Sequence, residues 1–389
     1  MNRICVRSAA GFLCALSVLL TGCQWNTPVS TPTAPTTEEV TEGTTLQTEE
    51  TVPEETQEQT LPAPIEYTLS FAGDCTLGTS DKTYGKSGTF VRIVGDNYNY
   101  PFENVLPYFE ADDFTLVNLE GPFTEHTVPA EKRFRFRAPS AYAKILTAGS
   151  VEAVNLANNH SLDFGQIGYA DTKKALEAEN VTYVEDCGTA FYTTENGLKI
   201  GIYAAQFDLQ VSTMEKGIAA LREGGAELVI ASFHWGTEGS YRPTDQQKKH
   251  AHAAIDAGAD IVYGHHPHVL QPIEEYNGGI IYYSLGNFSF GGNRNPRDKD
   301  SVVIRQTVIR DSDGTIRLGS TELIPFCISS VSGKNDYKPT PYEEGNKKYK
   351  RALSKLDGTF TGRDLNVSYA DKKDPTEPTE ATTPEEITP

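Results

Sequence analysis

Apolar positions along this chain gather into short runs rich in β-branched and aromatic residues, separated by longer stretches where they recur at helical spacing. Residues 67–73 alternate and then turn wholly apolar, as an opening strand does, and the run ends in Asp74. Further strands are predicted at 114–119, 151–156, 181–184, 199–205, 227–233 and 260–263. Turn-forming groups such as Glu120-Gly121-Pro122 close some of these runs. Between them the spacing predicts helices at 101–109, 140–147, 164–179, 213–222 and 244–257. Such alternation argues for a largely parallel sheet covered on both faces. Beyond Gly278 the texture changes. Residues 280–283, 302–309 and 316–324 read as strands, with Asp313-Gly314 a hairpin turn, while 332–365 carry only a weak signal.

The two ends follow other patterns. Arg3 and Arg7 precede a mostly apolar run, residues 9–20, too short to span a bilayer comfortably, and Leu20-Thr21-Gly22-Cys23 closes it. Residues 1–23 therefore read as an export signal. Leu-Thr-Gly-Cys resembles the bacterial lipoprotein box, which implies lipidation at Cys23 and an extracytoplasmic protein anchored to the membrane. Residues 24–64 hold eight Glu and no Lys or Arg among many Thr and Pro, so they cannot bury a core and read as a disordered stalk. Residues 371–389 read as a disordered acidic tail. The formal charge of −19 divides as +2 on the signal, −8 on the stalk, −4 on the tail and −9 on residues 65–370. A body of that sign has no broad basic footprint for nucleic acid. Outside the signal and Cys23 only Cys75, Cys187 and Cys327 remain, an odd and widely spaced set expected as buried free thiols.

The chemistry concentrates at strand ends. Three of the eight histidines lie in Gly264-His265-His266-Pro267-His268, directly after a buried-strand run. Strand ends elsewhere supply Asp74, Asn118, Glu120, Asn159, His160 and His234. Carboxylate, amide and imidazole donors together suit a borderline divalent ion, with Mn, Fe or Zn foremost. Their number exceeds what one structural zinc needs and suits a two-metal hydrolytic site. Arg133, Arg135 and Arg137 alternate with Phe134 and Phe136, so a strand there would put three guanidinium groups on one face, either as a solvated edge or as an anion clamp.

The set Gly73-Asp74, Asn118-Leu119-Glu120-Gly121-Pro122, Phe136-Arg137-Ala138-Pro139, Ala157-Asn158-Asn159-His160, His234-Trp235-Gly236-Thr237-Glu238, Gly264-His265-His266-Pro267-His268 and Ser284-Leu285-Gly286-Asn287-Phe288 resembles the CapA family of capsule proteins, over residues 67–291. That family's domain is related to the calcineurin-like metallophosphoesterases. The resemblance implies an α/β layered sandwich of mixed β-sheets flanked by helices over residues 65–330, with 331–370 a C-terminal extension. It implies metal ligation by Asp74, Glu120, Asn159, His234, His266 and His268. It implies catalysis by His160, as proton donor to the leaving group, and by Glu120. Substrate contacts would come from Asn118, Arg137, Glu238, His265 and Arg242. Two positions depart from the phosphoesterase pattern: Asp74-Cys75-Thr76 stands where Asp-x-His is usual, and Asn118-Leu119-Glu120 where Gly-Asp is. The cofactor is therefore expected as one or two divalent ions.

The function implied is a part in poly-γ-glutamate capsule synthesis, export or anchoring, with the polymer and membrane-embedded capsule synthesis proteins as partners. Two other readings keep the same residues: an extracytoplasmic metal-dependent phosphoesterase acting on another substrate, and a non-catalytic scaffold binding an anionic polymer.

Overall fold

A computed structural model of the protein describes residues 63–207, 209–365 and 367. The expected signal, Cys23, all but the last two residues of the stalk and the acidic tail lie outside the described residues.

Among the described residues the strands form two sheets of seven and six, and a two-stranded ribbon. In the first sheet, Ile65–Cys75, Phe114–Leu119, Ala153–Asn155 and Thr182–Val184 run parallel. Asp300–Arg310 pairs antiparallel with Ile65–Cys75 and carries Ile316–Cys327 and Thr340–Pro341 beyond it. In the second sheet the parallel strands are Lys199–Gln206, Leu228–His234, Ile261–His265 and Gly279–Tyr282, with antiparallel edges Gly188–Thr193 and Ile273–Tyr276. The layered sandwich of mixed sheets implied by the family resemblance is what forms, in place of the one largely parallel sheet argued from alternation. Local periodicity marks the central strands but not the sheet each one joins.

The two-residue side-chain period explains the layering. Tyr67, Leu69 and Phe71 share a buried cluster with Ile200, Ile202, Leu228, Ile261 and Tyr263, so one face of each sheet packs on the other. Ala72 and Cys75 turn to the outer side of the first sheet, against Phe102, Phe109, Tyr142 and Leu146. Tyr203, Val229 and Val262 turn to the outer side of the second, against Met214, Ile218, Ala251 and Ala254. The result is helix, sheet, sheet, helix. Each large apolar side chain in these layers stabilises by roughly 1.5–3 kcal/mol. The Tyr263 hydroxyl donates to the Ala72 carbonyl and stitches the two sheets through their common core.

The helices Gly165–Ala178, Val211–Glu223 and Asp245–Asp256 fall close to the periodicity, and Thr244 and Gln247 form a capping box on the last. Residues 101–109 hold only a one-turn 3-10 helix and a four-residue α-helix, because Pro101 and Pro107 interrupt the pattern. The Arg133–Arg137 alternation does not make a long strand. Only Phe136–Arg137 is extended, paired with Thr79–Ser80, while Arg135 bonds to Asp81 and the Ala130 carbonyl. Arg135 and Arg137 thus face different partners, Asp81 and the Tyr84 ring. None of the three cysteines is in a disulfide; Cys75 is buried but Cys187 and Cys327 are half-exposed, which corrects the expectation of uniform burial. The weak region holds a helix, Lys347–Leu356. No described helix is long and apolar enough to cross a membrane.

Candidate metal centre

Parallel strands from both sheets end on the same side, and their C-terminal residues converge. The first sheet supplies Asp74, Asn118, Glu120 and the loop from Asn158 to His160. The second supplies His234, His265 and the turn to His268. Ligand sites in open α/β sheets sit at this edge because strand ends and their loops meet there.

Asp74 is fully buried and is the hub. The Asn118 side-chain amide donates to it at 2.9 Å, and the rings of His265 and His268 approach within 3.3 and 3.0 Å. Burial would raise its pKa, but these imidazoles outweigh burial and hold it well below the usual carboxylate range. Glu120 has no comparable support. Its Oε2 accepts from Thr76 at 3.3 Å, whereas Oε1 is buried with no hydrogen-bond partner, 3.8 Å from both His234 Nε2 and His268 Nε2. Burial raises its pKa to about 8. Burial also lowers His234 well below its usual range and His266 to about 4, so both rings are neutral and hold a lone pair for a cation. His268 moves the other way: Glu120 and Asp74 overcome burial and raise it to about 10.

Asn159 Oδ1 lies 3.0 Å from His234 Nε2. Asn158 holds the frame by donating to Asn118 and to the Leu119 carbonyl while accepting from the His160 N–H. His160 Nδ1 sits 2.8 Å from Asp163, whose other oxygen meets Lys132 at 2.8 Å. His266 and His268 adopt positive φ, 95° and 56°, a conformation L-residues hold only when the surroundings over-determine it.

Two donor groups result: Asp74, Glu120 and His268, and Glu238, His266 and His268, each with ligand atoms within 4.8 Å of one another. An orphaned carboxylate oxygen, the neutral imidazoles of His234 and His266 and converging donors fit a borderline divalent cation, which would displace the proton of His268 on binding. Of the residues expected at the site, Asp74, Asn118, Glu120, Asn159, His234, His265, His266 and His268 are brought together here, with Glu238 against the last two histidines. His160 lines the adjoining cleft of about 240 Å³ together with Glu238 and His268. Arg137 stacks over Tyr84 at 3.9 Å, and Arg242 pairs with Asp364 at 3.0 Å; neither lines the cleft. Sequence reading missed Asn158, Asp163 and Lys132. The first two lie within three residues of His160 and could have been suspected as its support; Lys132 gave no signal.

A buried cluster of imidazoles and carboxylates at the shared edge of two mixed sheets defines a layered α/β protein with a candidate metal site. The chain belongs to the bacterial capsule synthesis protein PGA_cap family, whose model matches residues 68–292. It is 33% identical over 278 residues to the capsule biosynthesis protein CapA of Bacillus anthracis, a match covering 64% of this chain and 66% of that protein. It is 30% identical over 299 residues to the PGA biosynthesis protein CapA of Bacillus subtilis, covering 70% of this chain and 77% of that one. Among solved structures, the Haemophilus influenzae NAD nucleotidase NadN aligns over 76% of this chain and 63% of its own, at 13% identity and a TM-score of 0.41.

Proposed function

We propose that this protein serves poly-γ-glutamate capsule synthesis, export or anchoring through a divalent-metal centre, held extracytoplasmically at the membrane by lipidated Cys23. The observation that carries the reading is the convergence of Asp74, Glu120, Glu238, His266 and His268 on two overlapping donor groups in a member of a capsule synthesis family. His234 and Asn159 complete the set, and Mn, Fe or Zn matches these donors. A bound ion would act as a Lewis acid on a substrate oxygen.

The chain's own residues do the remaining work. Asp163 fixes the His160 tautomer by accepting from Nδ1–H, which leaves Nε2 to take up a proton and return it to a leaving group. The two nearest imidazoles, His265 and His268, keep Asp74 ionised against its burial, so it stays a ligand down to low pH. Partners on this reading are the polymer and the membrane-embedded capsule synthesis proteins.

Metal content and Mn²⁺ titration of the purified protein, beside His266→Ala/His268→Ala, test the centre. About one or two equivalents bound by wild type and lost in the double variant are expected; no binding in wild type refutes the metal reading. Deletion of the gene in its host is expected to remove surface polymer. Intact polymer together with turnover of a generic phosphodiester would place the centre in another pathway.

A further inference from the structure

The cleft beside the metal centre is completed by a stretch of chain outside the family match. That match ends at residue 292, whereas Leu365 and Val367 line the cleft with His160, Glu238 and His268. The stretch is tightly held. Asp364 accepts from the Tyr241 N–H at 3.0 Å, the Ser240 hydroxyl at 3.2 Å and the Arg242 guanidinium at 3.0 Å. The Leu365 N–H donates to the Gly239 carbonyl at 2.9 Å, and Arg242 donates to the Gly362 carbonyl at 3.1 Å. Gly239, at φ +76°, permits the approach, since a Cβ there would come within 2.7 Å of Val367 and 2.9 Å of Leu365. The segment is thus bound to the very turn that presents Glu238.

The resulting cleft is lined by both polar and apolar side chains. Phe136 lies beside His160, with ring centroids 4.5 Å apart. Leu365 and Val367 lie against Gly239, next to Glu238. A compact tetrahedral anion would use the polar groups alone. Apolar lining stabilises an occupant that carries hydrocarbon beside its reacting group. A γ-linked glutamate chain has that form, with two methylenes and one carboxylate between successive amides. Arg297 and Asp298 line the same cleft, and Asp298 is committed to Lys355 and the Tyr241 hydroxyl.

Resting on the capsule reading above, we infer that Leu365 and Val367 are specificity-determining residues that pack on the methylenes of a γ-linked glutamate chain at the metal centre. The C-terminal segment, rather than the family-wide core, then sets which polymer unit the cleft accepts.

The test is calorimetric titration of the full-length protein with Mn²⁺, then with a synthetic γ-linked glutamate decamer, and separately with inorganic phosphate as a compact anion. In Leu365→Ala/Val367→Ala, decamer affinity should fall roughly tenfold or more, because the methylenes would no longer be covered by apolar side chains. Mn²⁺ and phosphate affinities should stay within about twofold, because the variant touches no metal donor. Leu365→Asp should weaken the decamer further, and added salt should recover part of that difference. Unchanged decamer affinity in the double variant, or equal losses for decamer and phosphate, overturns the inference while leaving the metal reading intact. A wild type that binds Mn²⁺ but no decamer overturns the polymer reading itself and this inference with it.

Discussion

At the scale of single residues, the site depends on groups whose identity is constrained for reasons unrelated to metal. Gly264 sits in the strand that leads into the histidine turn, and a Cβ there would come within 2.2 Å of the Tyr283 carbonyl oxygen. Gly264→Ala is expected to lower stability by about 1–3 kcal/mol, read as a drop in the urea midpoint at unchanged slope. Asp163 joins His160 to Lys132, whose ammonium is nearly enclosed. Asp163→Asn strands that charge and should cost on the order of 3 kcal/mol, whereas Asp163→Asn/Lys132→Met should recover most of it. Chemical denaturation of the single and double variants checks this. The histidine turn was legible in the sequence because its members are neighbours in the chain. Glu120 and His234 were legible only as strand-end residues, since nothing local reports that their side chains meet. Lys132 was not legible at all: its partners lie about thirty residues away and a lone Lys in a polar loop looks solvated.

At the scale of elements, the parallel strands were readable from their apolar runs, and Asp245–Asp256 from its capping signature. The helix Lys347–Leu356 was not, because what it buries includes a lysine. Lys355 is 2% exposed and meets Asp298 at 2.5 Å and Asp300 at 2.7 Å, while Arg351 also grips Asp300. A pattern search scores such a residue as surface. Edge strands such as Gly188–Thr193 were missed for the converse reason: half their side chains face solvent and the alternation includes small polar residues. Lys355→Met would leave two buried carboxylates facing a thioether, and a loss of about 3 kcal/mol is expected in thermal or urea unfolding. Burial would raise the Asp300 pKa, but Arg351 and Lys355 outweigh it and the net shift is downward. The folded state therefore releases this proton more readily than the unfolded chain. The corresponding stability is present above about pH 4 and fades as pH falls below it. In Lys355→Met that acid limb should be shallower.

At the scale of the whole molecule, two carboxylates oppose that trend. Burial raises Asp112 to about 6 and Glu152 to about 7, both around Thr115 at the start of a central strand. Here the folded state holds the protons more tightly, so the contribution is full below about pH 4 and is lost as pH rises towards about 7. The urea midpoint of Glu152→Gln relative to wild type should therefore move in the variant's favour as pH rises from about 4 to 8. A difference between the two that stays constant over that range would contradict this. The order of strands carries one more consequence. All six strands of the second sheet are made before Asp300–Arg310, the antiparallel neighbour of the very first strand. During synthesis at about 5–20 residues per second, Ile65–Cys75 waits roughly ten seconds or more with one hydrogen-bonding edge bare. The nascent chain is thus vulnerable in a way the finished protein is not, and its yield will depend on whatever shields that edge until the last quarter of the chain arrives.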